Sequence, residues 1–174
     1  MPKSHIMAVV ASAFHRSRAE YGERYDDHVL DQYRLFVDTE ERLVSRRQNE
    51  NRFFLSLNAF ILAVLSLLLQ QGINDRIAWV GPLLLGVAGA VLSGAWFLII
   101  RSYRKLNTAK FAVISQFEEQ LPVKMFDAEW MAALSADYQP FTTIQSVVPV
   151  IFGLLALAGA VVGGLGLGGC FEPR

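Results

Sequence analysis

Three stretches of this chain, residues 53–69, 77–100 and 147–171, contain no Asp, Glu, Lys, Arg or His. A water-soluble core does not need apolar runs of that length. A bilayer does, because crossing ~30 Å of hydrocarbon at about 1.5 Å per residue takes roughly 20 apolar residues. The sequence therefore predicts an all-α integral membrane protein with three transmembrane helices. The first span, 53–70, is just long enough, the second, 77–100, has length to spare, and the third covers 147–169. Lys+Arg 16 balance Asp+Glu 16, and this zero net charge argues against a protein that coats nucleic acid.

The connector Gln71-Gly72-Ile73-Asn74-Asp75-Arg76 is short enough to join only antiparallel neighbours, so the first two spans form a hairpin. Trp79 and Trp96 lie near opposite ends of the second span, where interfacial aromatic belts are expected. In the third span Ala156, Ala160, Gly164 and Gly168 recur every four residues, with a shorter version in Gly86, Ala90 and Gly94 of the second. Small side chains at this spacing let another helix backbone approach, within the chain or between subunits. Pro149 and Gly153 are candidate points for a break or kink in the third span.

Lys and Arg are unevenly placed. Residues 1–52 carry nine and residues 101–146 carry five, whereas the hairpin loop has only Arg76 and the C-terminal tail only Arg174. The positive-inside rule places the N-terminal part and the 101–146 region in the cytoplasm, and the C-terminus outside. Basic flanks also attract anionic lipid headgroups. The expected order is an N-terminal tail (1–24), a cytoplasmic helix (25–52) continuing into the first span, the hairpin, a cytoplasmic helical region (101–143), the third span and an external tail (170–174). Residues 25–52 contain no Gly or Pro and keep helical apolar spacing, so the first helix should run unbroken from cytoplasm into lipid. Leu106, Ala109, Val113, Phe117 and Leu121 mark a further amphipathic helix ending at Pro122. Asp127 is the expected N-cap of a short one bearing Trp130. Residues 1–20 lack the pattern of a cleaved signal peptide and read as a loose tail.

No chemistry of catalysis is visible. His5, His15 and His28 have no second ligand at helical spacing, Cys170 is the only cysteine, and there is no phosphate-binding loop or nucleophile elbow. The glycines from Gly163 to Gly169 lie in an apolar span without a preceding strand or an acidic partner, so they are packing residues and not a dinucleotide site. Arg24 and His28 resemble a ribonuclease pair only with too short a gap. Acidic residues among Tyr21, Tyr25 and Tyr33 disfavour nucleic acid. No metal, cofactor or enzymatic activity is expected.

On the first helix Glu40, Arg47, Asn51 and Asn58 fall in a strip about 40° wide, shared with Val29, Tyr33 and Val44. Polar groups on an apolar face must be paired across helices or open onto water. Two uses are open for this seam: hydrogen bonds that fix register between helices or subunits, or the lining of a cytoplasmic vestibule.

Tyr33-x-x-Phe36-Val37, Arg46-Arg47-x-x-x-Asn51-x-Phe53-Phe54-Leu55-x-Leu57-Asn58, Arg101-Ser-Tyr-Arg104-x-Leu-Asn107-x-Ala-Lys110-Phe111 and Leu121-Pro122 followed by Phe126-x-x-Glu129-Trp130 together resemble the RipA family of small octameric membrane proteins. The resemblance covers roughly residues 30–152. More distantly it is similar to octameric membrane accessory proteins of RNA-targeting CRISPR systems. It implies a bacterial inner-membrane protein assembling with itself as a ring of eight, without established enzymatic activity. Composition and resemblance together predict a homo-oligomer of structural or pore-like role. The alternative is a membrane scaffold or regulatory subunit that recruits a cytoplasmic protein partner through Phe126 and Trp130.

Overall fold

The computed structural model describes residues 10, 12, 15–70, 76–136 and 141–170. Residues 71–75 of the hairpin connector, residues 1–9, 11, 13 and 14 of the expected N-terminal tail, residues 137–140 and the final residues 171–174 lie outside the described residues. Among the described residues every regular element is helical: α1 (Arg18–Tyr21), α2 (Tyr25–Gln70), a 3-10 turn (Arg76–Trp79), α3 (Val80–Glu118), α4 (Met125–Ser135) and α5 (Phe141–Leu167).

Residues 18–21, expected to be loose, form one capped turn. The Ser17 hydroxyl accepts from the Glu20 N–H at 3.3 Å, and the Glu20 carboxylate accepts from the Ser17 N–H at 2.9 Å. The Ser17 N–H, and then its hydroxyl, hold the Glu20 carboxyl below its ordinary range. Gly22, with φ 92°, ends the turn in a backbone conformation that a side chain would strain.

α2 runs for 46 residues without a break, as the absence of Gly and Pro predicts. At about 1.5 Å per residue it is about 70 Å long, more than twice the hydrocarbon thickness. Part of it must therefore lie outside the apolar layer. α3 corrects one expectation. The segment after residue 100 is not a separate helix but the continuation of the second span, because no Gly or Pro interrupts Ile100 to Glu118. α5 likewise continues through Pro149 and Gly153 without interruption.

Three helices, Tyr25–Gln70, Ile77–Glu118 and Gln145–Leu167, are long and apolar enough to cross a membrane, and only 11%, 28% and 28% of their apolar stretches are buried within the chain. Phe60, Val91 and Leu154 are among the large side chains left bare. Exposure on this scale is tolerable where acyl chains or other subunits cover it.

Two compact units emerge: Met1–Arg46 with Tyr103–Gln139, and Arg47–Ser102 with Pro140–Arg174. In the first, Tyr33 and Phe36 of α2 pack on Phe117 of α3, and Ile114 is fully buried. The second holds the apolar lengths of α2, α3 and α5, with Leu65, Trp96 and Ala156 in its interior.

Candidate functional site

In the second unit, Asn58 is 1% exposed and both ends of its amide are used. Its Oδ1 accepts from the Ser93 hydroxyl at 2.8 Å, and its Nδ2 donates to the Phe54 carbonyl at 2.9 Å. Asn51 Oδ1 accepts from the Trp96 indole N–H at 3.0 Å. The pairs run antiparallel, α2 rising from 51 to 58 while α3 falls from 96 to 93. Trp96 stacks on Phe54, with centroids 6.0 Å apart and planes 9° from parallel, and also meets Phe152. Trp96, expected in an interfacial belt, is packed within the chain. Its ring is buried because Asn51 satisfies the N–H that would otherwise seek water. Arg47 is half-buried, and its Nε has no hydrogen-bond partner among the described residues.

Glu40 belongs to the first unit and is buried. Lys110 Nζ of α3 lies 3.8 Å from Glu40 Oε2, donates to Thr39 Oγ1 at 2.8 Å and sits 4.9 Å over the Phe36 ring. At 3.8 Å the attraction in such a buried pair does not fully offset the desolvation of two charges, so the pair adds little to stability.

Sequence reasoning missed Glu118, which is fully buried at the end of α3. Its Oε1 accepts from the Tyr33 hydroxyl at 3.1 Å and the Phe126 N–H at 3.0 Å, and its Oε2 from the Asp127 N–H at 3.3 Å. Glu118 thus does the capping expected of Asp127. α4 starts at Met125, its Lys124 N-cap makes no side-chain bond, and Asp127 instead accepts from Ser115 Oγ at 2.8 Å. Burial first, then the bond to and charge of Glu118, push the Tyr33 phenol up to about 12.

An open groove of about 450 Å³ lies beside this cap, lined by Tyr33, Arg34, Val37, Asp38 and Glu41 of α2 and by Met125, Phe126 and Glu129 of α4. Phe126 is half-buried edge-on to Phe111, with centroids 5.9 Å apart, whereas Trp130 is 52% exposed. No residue of α4 is buried.

Among the small residues, the structure joins Gly86 to Ala156 and Ala160: a Cβ at Gly86 would lie 2.4 Å from the Ala160 nitrogen and 2.7 Å from the Ala156 carbonyl oxygen. Ala90 is half-buried. Among the described residues Gly94 and Gly164 have nothing within 4 Å of a built Cβ, and Gly168 meets backbone oxygens of its own helix. The contact stripe of α5 also includes Gly159 on Leu65, Gly163 on Leu83 and Gly166 on the Trp79 ring, none singled out by the four-residue repeat.

Among the described residues no group of three His, Cys, Asp or Glu side chains could hold a metal ion. His28 Nδ1 is 2.7 Å from the Tyr21 hydroxyl, in an exposed contact of α1 with α2.

The model of the octameric membrane protein family (8xMP) matches residues 30–165. The chain belongs to this family. The match takes in α3, α4 and all of α2 but its first turn, so the seam, the Glu118 cap and the groove all fall within the region shared by the family. No curated protein and no solved structure matches the chain.

Proposed function

We propose that this chain is the repeating subunit of a homo-octameric assembly in the bacterial cytoplasmic membrane, with a structural or pore-like role and no catalysis of its own. Residues 25–52 and 101–143 lie on the cytoplasmic side in this reading, and the C-terminus outside. The observation that carries it is the bareness of α2: only 11% of its apolar stretch is covered by its own chain, in a member of a family named for its octamers. The Lys and Arg distribution supports the orientation. The resemblance to the RipA proteins and, at greater distance, to CRISPR-associated octamers implies a ring of eight without established enzymatic activity.

Within this reading, Glu40, Asn51 and Asn58 fix the register of α2 against α3. Their partners Lys110, Trp96 and Ser93 support that use over a water-filled lining. Arg47 is the seam residue left for a contact beyond the chain. Gly94 and Gly164, open within the subunit, are left for helices of neighbours or lipid.

A second reading, a scaffold that recruits a cytoplasmic partner, is favoured by α4, whose Met125, Trp130, Met131 and Leu134 are all exposed. Mass measurement of the detergent-solubilised protein tests the first: eight copies support it, and a monomer in several mild detergents ends it. A pull-down with Trp130→Ala tests the second, which requires partners to be lost while the assembly persists.

A further inference from the structure

We propose that the groove between α2 and α4 is the ring contact of the assembly, and that its occupant is a second copy of this chain, which presents the α2 face carrying Leu35, Arg42 and Arg46. This rests on the homo-oligomeric reading above and names the surface that makes the oligomer.

The groove's apolar lining is Val37, Met125 and Phe126, and its charged lining is Asp38, Glu41 and Glu129 with Arg34. Neither Glu41 nor Glu129 makes an ion pair among the described residues. Three carboxylates against the one Arg34 guanidinium repel anionic headgroups on balance, so a lipid is a poor occupant. A segment with one apolar side chain and flanking cations is a good one.

α2 itself carries such a segment on another face. Leu35 is 66% exposed, and Arg42 and Arg46 are exposed with it. At about 100° per residue the three fall within ~40° of one another and about 100° or more around the helix from Val37 and Glu41, with Asp38 at the groove's edge ~40° from Arg42, where the two faces adjoin. The chain therefore offers two different, complementary faces, which is what a head-to-tail ring contact requires.

Depth agrees as well. Rotation about an axis along the membrane normal carries each residue to the same depth in the next subunit. The α2 side of the groove spans Tyr33 to Glu41, so only neighbouring residues near that level can enter it, and Leu35 and Arg42 are there. Leu35 then covers Met125 and Phe126, Arg42 reaches Glu41, and the longer reach of Arg46 completes the rim. Arg42 pairs with Asp38 of its own helix at 2.8 Å, an exposed contact that leaves its remaining donors available.

The experiment is disulfide trapping in isolated membranes. Leu35→Cys and Met125→Cys are combined in a Cys170→Ser chain and oxidised, and the size of the detergent-solubilised protein is read before oxidation. The expected result is a ladder of linked chains ending at eight, with each single-cysteine chain remaining unlinked. In parallel, Glu41→Arg should raise the subunit concentration at half-dissociation by about ten-fold, and adding Arg42→Glu in the same chain should restore it. An octamer that yields no inter-chain disulfide, or a charge swap that fails to rescue, overturns this contact and leaves the oligomer standing. That is also the result if a different protein fills the groove. A chain that sizes as a monomer before oxidation overturns the homo-oligomeric reading and this contact with it.

Discussion

Asn58 places a side-chain amide among apolar groups, where each of its ends needs a partner. Losing its bond to Ser93 in a membrane interior costs about 1 kcal/mol, because the hydroxyl can turn to its own helix. Asn58→Ala and Ser93→Ala should each lower thermal stability in detergent by about that amount. Combined, they should cost little more than either alone, as residues sharing one bond do. Fully additive losses in the double-substitution cycle would mean the bond contributes nothing. Glu118 has larger consequences. Glu118→Ala leaves the Phe126 and Asp127 N–H groups and the Tyr33 hydroxyl without their acceptor, and should destabilise by about 3 kcal/mol, with α4 the first segment to exchange its amide hydrogens. The phenol offers a separate reading of the same contact. Since folding raises the Tyr33 pKa from 10.0 to about 12, its contribution is complete below pH 10 and is lost as pH rises through about 12. In an absorbance titration one tyrosine should ionise later than the rest, and Glu118→Gln should bring it earlier. Asn51 and Asn58 were legible in the sequence because amides stand out on an apolar strip. Glu118 was not. A carboxylate followed by Glu119 and Gln120 reads as a solvated helix end, and only the chain reversal before α4 buries it.

At the level of helices, close approach decides which glycines matter. Gly86 faces backbone atoms of Ala156 and Ala160, which cannot swing aside, so Gly86→Ala should push α3 and α5 apart and cost about 1–3 kcal/mol. Gly94→Ala and Gly164→Ala meet nothing in the subunit, and helix propensity makes them neutral or slightly stabilising for the single chain. Should either weaken the oligomer while sparing the subunit's melting temperature, it marks an inter-subunit helix contact. If both leave the oligomer unchanged, those positions face lipid. The sequence showed a four-residue repeat in the third span. The real contacts at Gly159, Gly163 and Gly166 follow intervals of three and four, because the facing surface depends on how the helices cross, which no single sequence encodes. The continuity of α2 was legible from the absence of breakers. That of α3 was open to the same argument, but the change from apolar to basic at Arg101 suggested a boundary where the backbone has none.

Across the whole molecule, the strongest sequence signal and the strongest structural one agree: three uncharged lengths of chain became three long helices whose apolar sides are largely uncovered. What covers them is only partly written in the chain. Acyl chains suit the uncharged spans, whereas the charge-lined groove beside α4 is the surface proposed for a neighbouring subunit. The proposed orientation is checked separately by labelling. A cysteine at Ser102 in the Cys170→Ser chain should react with an impermeant maleimide only after the cell is opened, and reaction in intact cells would reverse the topology. The octameric reading itself stands most directly on mass. Native mass measurement of the solubilised protein, well above the concentration at which it half-dissociates, should give eight times the 19.4 kDa chain. A monomer, or a closed assembly of any other number, would contradict it.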